Sequence, residues 1–348
     1  MVVVFVQARH DQPSWDDTMK AAVCKAYGGP NVVQVLEVPL PPVKPSDLLI
    51  RVCATTVSSA DARVRGARFP PGFALPARLF LGLTKPRTPI LGTELAGVVE
   101  AVGARVTRYR PGDRVFAFSG VNMGCHAEFK AMPENGPISK IPAGFTFDEA
   151  AAISFGGTTA LYFLRDVANV RPGERVLVNG ASGAVGLAAV QLARHFGAEV
   201  TGVCSAANAG LVRAVGAHEV VDYAVTDFAK SDARWDIVLD TVGNASLARC
   251  RDVLNDNGRL LLLVAGLGGL LSAPLQSKSR GLKVAAGPAP ERAQDIETLK
   301  ALCEAGAFKP VIDSHYPLDR IAEAHARADS QRKVGSVVVT MPSACSSE

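Results

Sequence analysis

The chain has no C-x-x-C pair, no run of like charges, and no apolar stretch long enough to cross a bilayer. Its seven cysteines, at 24, 53, 125, 204, 250, 303 and 345, are too scattered for a structural zinc lobe or a disulfide framework. Buried free thiols in a reducing compartment are expected instead. The most apolar internal run, residues 260–271, has twelve residues and three glycines, against roughly 20 residues for a spanning helix. Aromatic residues are only 6% and the basic residues are dispersed, so stacking platforms and basic stripes for nucleic acid are missing. The start, MVVVFVQARHDQPSW, lacks a basic region ahead of its apolar residues and a small-residue cleavage signal. Residues 1–18 read as an extension before a strand beginning at Met19. The expected location is the cytoplasm, with neither nucleic acid nor membrane as a partner.

At 348 residues the chain exceeds one typical core, which implies two domains. Hydrophobic content of 48%, charged content of 20% and a net charge of +4 suit an ordinary soluble enzyme. The first third alternates short strands with turns, as in Val32–Val38, Asp47–Thr55, Leu95–Val102 and Arg114–Phe118. Residues 65–90 carry too many prolines for one helix; a loop with a short helical piece, shaping a substrate pocket, is expected there. From about Thr146 strands alternate with helices, which implies a parallel, doubly wound sheet. The closing segment returns to a helix and a final strand. The predicted fold is therefore α/β, with a dinucleotide-binding domain of residues 146–308 inserted into a β domain of residues 19–145 plus 309–348.

Residues 174–205, ERVLVNGASGAVGLAAVQLARHFGAEVTGVCS, carry the strongest motif. An apolar strand runs into a glycine turn, then a helix over about Val185–Phe196, then a second strand, Glu199–Cys204. That order is what a dinucleotide-binding βαβ unit requires. Gly183 and Gly186 permit a tight turn and close helix–strand approach, and the unpaired N–H groups at the helix start face a pyrophosphate.

Several blocks in order resemble the medium-chain dehydrogenase/reductases, in their zinc-independent quinone oxidoreductase branch. They are GTELAGVVEAVGARVTRYRPGDRVFAF (92–118), FGGTTALYFLRD (155–166), RPGERVLVNGASGAVGLAAVQLARHFGAEV (171–200), GAHEVVDY (216–223), WDIVLDTVG (235–243) and GSVVVT (335–340). The resemblance covers roughly residues 19–340. It implies a GroES-like β domain, a Rossmann domain, and a cofactor in the cleft between them. Carried over by position, Gly180, Ala181, Ser182, Gly183, Ala184, Val185 and Gly186 would form the pyrophosphate turn. Thr159 would lie near the nicotinamide; Thr241, Val242 and Gly243 would wall the adenine side; Gly266 and Leu267 would meet the carboxamide. Zinc-dependent relatives carry a cysteine and a histidine where this chain has Ser58 and Thr93, and a lone Glu94 cannot hold the metal. No zinc is therefore expected. Cys125-His126 reads either as a substitute metal pair or as a loop pair at the cleft rim, and His315 and His325 as surface or satisfied core histidines.

The stretch Cys204–Asn208 has no carboxylate at the end of the second strand, which favours NADPH over NADH. Ser205, Asn208 and Tyr223 are candidate phosphate contacts, with Arg213 and Arg332 as more distant charges. The polar groups that the resemblance puts nearest the nicotinamide are Ser58, Asp61 and Thr93, the candidate catalytic residues; Asp61 reads alternatively as structural. Without a metal, hydride addition to a quinone or an α,β-unsaturated carbonyl is favoured, because charge spreads over a conjugated system. The alternatives are a non-catalytic NADPH-binding regulatory protein and a zinc-type alcohol dehydrogenase. A small-molecule substrate and a homodimer are expected.

Overall fold

A computed structural model describes residues 18–69, 71–266, 268 and 281–342. Residues 1–17 of the N-terminal extension, candidate Leu267 and Cys345 lie outside the described residues.

The first elements are β1 (Thr18–Cys24), β2 (Val33–Pro39) and β3 (Asp47–Val57), then helices α1 (Ser59–Arg65) and α2 (Ala74–Leu81). Strands β4 (Glu94–Val102), β5 (Arg114–Phe118), β6 (Phe129–Pro133) and β7 (Ile138–Lys140) follow. β1 and β2 pair with each other. β3 is buried along nearly its whole length because β4, β6 and the last strand of the chain all pair with it.

Helices α3 (Phe147–Ala151) and α4 (Ser154–Leu161) lead through a π-helical turn, Tyr162–Ala168, into the parallel domain. That domain comprises β8 (Arg175–Asn179), α5 (Ala184–His195), β9 (Glu199–Cys204), α6 (Ala209–Ala214), β10 (Glu219–Asp222), β11 (Trp235–Asp240), α7 (Leu247–Cys250), β12 (Leu254–Leu262) and β13 (Lys283–Ala286). Its strand order, β10-β9-β8-β11-β12-β13, is that of the Rossmann fold. Order reverses between β8 and β11, so their carboxyl ends open a crevice at Asn179 and Asp240. After α8 (Ala293–Glu304), β14 (Ile312–Pro317), α9 (Ile321–Asp329) and β15 (Ser336–Thr340) return to the first domain. Its larger sheet has the order β14-β15-β3-β4-β5-β7, the GroES-like half of the molecule.

The two sheets share one core. Ala54, Phe116 and Val338 of the first pack in the same cluster as Val176, Val178 and Val200 of the second. The cysteine pattern departs from expectation at one position: Cys24, Cys125, Cys204, Cys250 and Cys303 are free and buried, but Cys53 is disulfide-bonded. α7 stops at Cys250, and Leu254, which pairs with Trp235, begins β12. No described helix is long and apolar enough to cross a membrane.

Candidate active site

The crevice opens into a cleft of about 1290 Å³ between the domains. Its floor is the turn from β8 into α5. Gly180 has φ +83°, and a Cβ there would collide with Thr241 Oγ1. At Gly186 a Cβ would strike the carbonyl of Gly180 and lie 2.8 Å from Ala181 Cα, so helix and strand touch through that glycine. Gly183 differs: the nearest atom to a Cβ there is Gly180 O at 3.6 Å. It is also the N-cap of α5, whose first turn has neither a side-chain cap nor an acidic residue. By contrast α1 and α3 close their N-termini with capping boxes. The start of α5 therefore presents open N–H groups and the positive end of a helix dipole to the cleft.

Gly180, Ser182, Gly183, Ala184, Val185, Gly186, Ser205, Asn208, Tyr223, Thr241, Val242 and Arg332 all line this cleft. Ala181 lies fully buried beneath the turn. Gly243 donates to Asp240 Oδ2 at 3.0 Å, part of a loop that Asp240 organises through Val242 N and Ala245 N. Thr159 is half-buried and donates to Phe155 O within α4 at 2.8 Å. Gly266 lies against Pro71 of the proline-rich insert. Among the described residues 65–90, Arg68 and Phe69 line the cleft and no residue of α2 does.

The three candidate catalytic residues do not line the cleft. Ser58 is the N-cap of α1, and Asp61 Oδ2 accepts from Ser58 N at 2.8 Å and Ser58 Oγ at 2.6 Å. Asp61 Oδ1 accepts from Gly92 N at 2.9 Å. Both carboxylate oxygens of Asp61 are committed to holding α1 against the loop before β4. This geometry favours the structural reading of Asp61 and gives Ser58 a capping role beside it. The signal was present in the sequence as Ser-x-x-Asp, a capping spacing. Thr93 is buried as well, and its hydroxyl has no hydrogen-bond partner.

Cys125 and His126 are fully buried and do not line the cleft, which corrects their placement at the cleft rim. Burial pushes the Cys125 thiol up to about 12. His126 Nε2 lies 2.9 Å from Thr56 O, and its ring meets that of His325 edge-on at 5.6 Å. His325 is a core residue but not a satisfied one: neither ring nitrogen has a partner, and burial holds it neutral, with its pKa well below the usual value. His315 lies at the surface, 3.2 Å from Asp148.

Glu94 links the domains. It accepts from Thr56 Oγ1 at 2.5 Å and from the backbone N–H of Phe155, a cleft residue, at 2.6 Å. Burial raises its carboxyl from 4.5 to about 7, against those two hydrogen bonds. Because the folded pKa is the higher one, the associated stability is complete below about 4.5 and is lost as pH rises through about 7. Glu94→Gln keeps the shape without the ionisation. Its melting temperature should vary less between pH 5 and 8 than that of the native protein; equal slopes in the two proteins would contradict the assignment.

Lys333 went unnoticed in the sequence. It sits just before the closing strand, where no local motif marks it, and lines the cleft opposite the glycine turn. Gly335 N donates to Ser182 O at 3.0 Å, and Gly183 and Gly335 form a parallel bridge, so the segment 333–335 crosses the turn. Burial pulls the Lys333 ammonium down to about 8, partly offset by Asp313 and Glu94. Arg63, Arg68 and Arg249 also line the cleft; Arg68 pairs with Asp329, and Arg249 with Asp227.

Residues 44–164 match the alcohol dehydrogenase GroES-like domain, and residues 215–339 match the zinc-binding dehydrogenase family. The quinone oxidoreductase of Homo sapiens is 32% identical over 322 residues, covering 88% of this chain and 93% of its own. That of Pseudomonas aeruginosa is 30% identical over 336 residues, covering 90% and 97%. Among solved structures, the quinone oxidoreductase of Pseudomonas syringae pv. Tomato is 28% identical with a TM-score of 0.77, covering 92% and 99% of the two chains. A mycobacterial protein complexed with NADPH is 27% identical, also with a TM-score of 0.77 and the same coverage. With its GroES-like sheet, its Rossmann sheet and these relatives, the chain belongs to the medium-chain dehydrogenase/reductase superfamily of oxidoreductases.

Proposed function

We propose that this oxidoreductase uses NADPH, without a zinc ion, to reduce quinones or α,β-unsaturated carbonyls. The observation that carries the reading is the pairing of an open nucleotide cleft with a donor set unsuited to zinc. Where zinc-dependent relatives supply thiolate and imidazole, this chain has Ser58 and Thr93, and the Ser58 hydroxyl is spent on Asp61. Hydroxyls are poor zinc ligands beside those groups. Among the described residues no three His, Cys, Asp or Glu side chains gather closely enough to hold a metal.

Bound NADPH would be held at the uncapped start of α5 and the glycine turn, with Lys333, which donates to Gly335 O at 2.6 Å, as a nearby cation for the phosphates. Ser205, Asn208 and Tyr223 lie at the ends of β9 and β10, where a 2′-phosphate would sit. When bound, the nicotinamide supplies a hydride. A quinone or an activated alkene takes that hydride and spreads the charge over its conjugated system, and water supplies the matching proton. The chain's contribution is binding and orientation.

The test is NADPH and NADH oxidation with a panel of quinones and enones, alongside metal analysis of the purified protein. Stoichiometric NADPH oxidation with no bound zinc supports the proposal. One tightly held zinc per chain, or tight NADPH binding with no turnover across the panel, contradicts it. Lys333→Ala should weaken NADPH binding about tenfold at pH 7, the loss of one charge-assisted contact. It should also abolish the weakening that the native protein shows as pH rises through about 8, where Lys333 loses its proton. Unchanged titrations would place the phosphates elsewhere.

A further inference from the structure

Between Asp61 and Glu94 the chain has no acidic residue at all, yet it carries Arg63, Arg65, Arg68, Arg78, Lys85 and Arg87. The small net charge of the whole protein hides this local excess. The same segment holds α2, and none of that helix's eight residues is buried. Leu75 and Leu79 stand one turn apart with Phe80 beside them, followed by Leu83; they are 67%, 54%, 68% and 59% exposed for Leu75, Leu79, Phe80 and Leu83 respectively. The opposite side of the helix is the anchored one. Leu81 packs on the β-domain core, and Tyr27 Oη donates to Gly82 O at 2.7 Å. Arg87 Nη2 donates to Leu79 O at 2.9 Å, tying down the last turn.

The helix is thus held in place with its apolar stripe turned outward. Arg78 lies over the Tyr27 ring, 5.7 Å from its centroid, and Arg87 bonds a backbone carbonyl, so neither is neutralised by a carboxylate there. Soluble surfaces rarely gather four large apolar side chains on one short exposed element. An apolar stripe rimmed by cations, with no anion in the segment, is complementary to an anionic lipid surface.

We propose that α2 and the turn after it dock on an anionic bilayer surface, with Leu75, Leu79, Phe80 and Leu83 entering the lipid and Arg78, Lys85 and Arg87 meeting the headgroups. The segment continues from Arg68 and Phe69, which line the cleft, so docking would bring the cleft wall close to the membrane. The docking does not depend on which substrate is reduced.

Flotation of the full chain with vesicles of phosphatidylcholine, or of phosphatidylcholine with about 30% phosphatidylserine, tests this. The native protein should float with the anionic vesicles and release as salt is raised. Leu79→Glu with Phe80→Glu, and separately Arg78→Glu with Lys85→Glu, should each lower binding about tenfold or more. Both variants should keep the native melting temperature and their turnover of a water-soluble substrate. Failure of the native protein to float overturns the proposal, as does undiminished flotation of the variants. Sedimentation in which Leu79→Glu with Phe80→Glu splits a dimer, without any vesicle binding, assigns the face to a second copy and overturns it too.

Discussion

Alanine at position 186 should destabilise the protein by about 3 kcal/mol, the upper part of the range for forcing atoms into a packed site. The added methyl would meet the Gly180 carbonyl and the Ala181 backbone, neither of which can swing aside as a side-chain tip can. Relief would require α5 to move off β8, opening the turn that faces the cleft. Gly183→Ala should behave differently although it lies three residues away. Its methyl meets no protein atom closer than 3.6 Å, so the melting temperature should stay near native. Yet Gly183 lines the cleft at the start of α5, and a methyl there narrows the approach to the open N–H groups. NADPH affinity should fall about tenfold, equivalent to about 1.4 kcal/mol. Thermal melts and fluorescence titrations of both variants decide the matter. If both lose stability equally, or both leave binding intact, the division of labour between the two glycines is wrong.

The second large effect is expected at Asp61. Asp61→Ala removes the acceptor for Ser58 N, Ser58 Oγ and Gly92 N, leaving two backbone donors unpaired in a buried site. Each unsatisfied buried group costs about 1–3 kcal/mol, so a loss of about 3 kcal/mol or more follows. Asparagine should not rescue it, because its amide group would face an N–H whichever way it is turned. The fraction that remains folded should keep its kcat/KM, since Asp61 does not line the cleft. Lost turnover with an unchanged denaturation midpoint would restore Asp61 as a catalytic group.

These two cases mark where sequence reading succeeds and where it stops. The glycine turn was legible because its determinants are local: strand, turn and helix follow one another, and each glycine answers to atoms within a few residues or on the facing loop. β3, β4, β5, α5 and β9 were legible for a related reason, since long apolar or periodic runs declare themselves. The strands β6, β7 and β14 were not. β6 has one buried residue, β7 has only 3 residues and β14 has no buried residue, so they take strand form from the neighbours they pair with. Residue identity left two readings open at Asp61, and only the packing showed Ser58 and Asp61 capping α1.

Sequence alone located a glycine turn between strand and helix at 180–186, placed the domain carrying it inside a β domain, and put Ser58 and Thr93 where the resemblance has zinc ligands. Tertiary structure decided the rest of the site. Lys333 stands about 150 residues from the glycine turn and reaches it because β15 returns to β3, carrying Gly335 onto Ser182. Glu94 is raised to about 7 because the two domains close around it and remove water. Whether the proline-rich insert lines a pocket or faces outward depended on Leu81 and Tyr27 anchoring one side of α2. Local propensity writes turns and periodic elements into the chain; distance, burial and the direction a helix faces arise only when remote segments pack together.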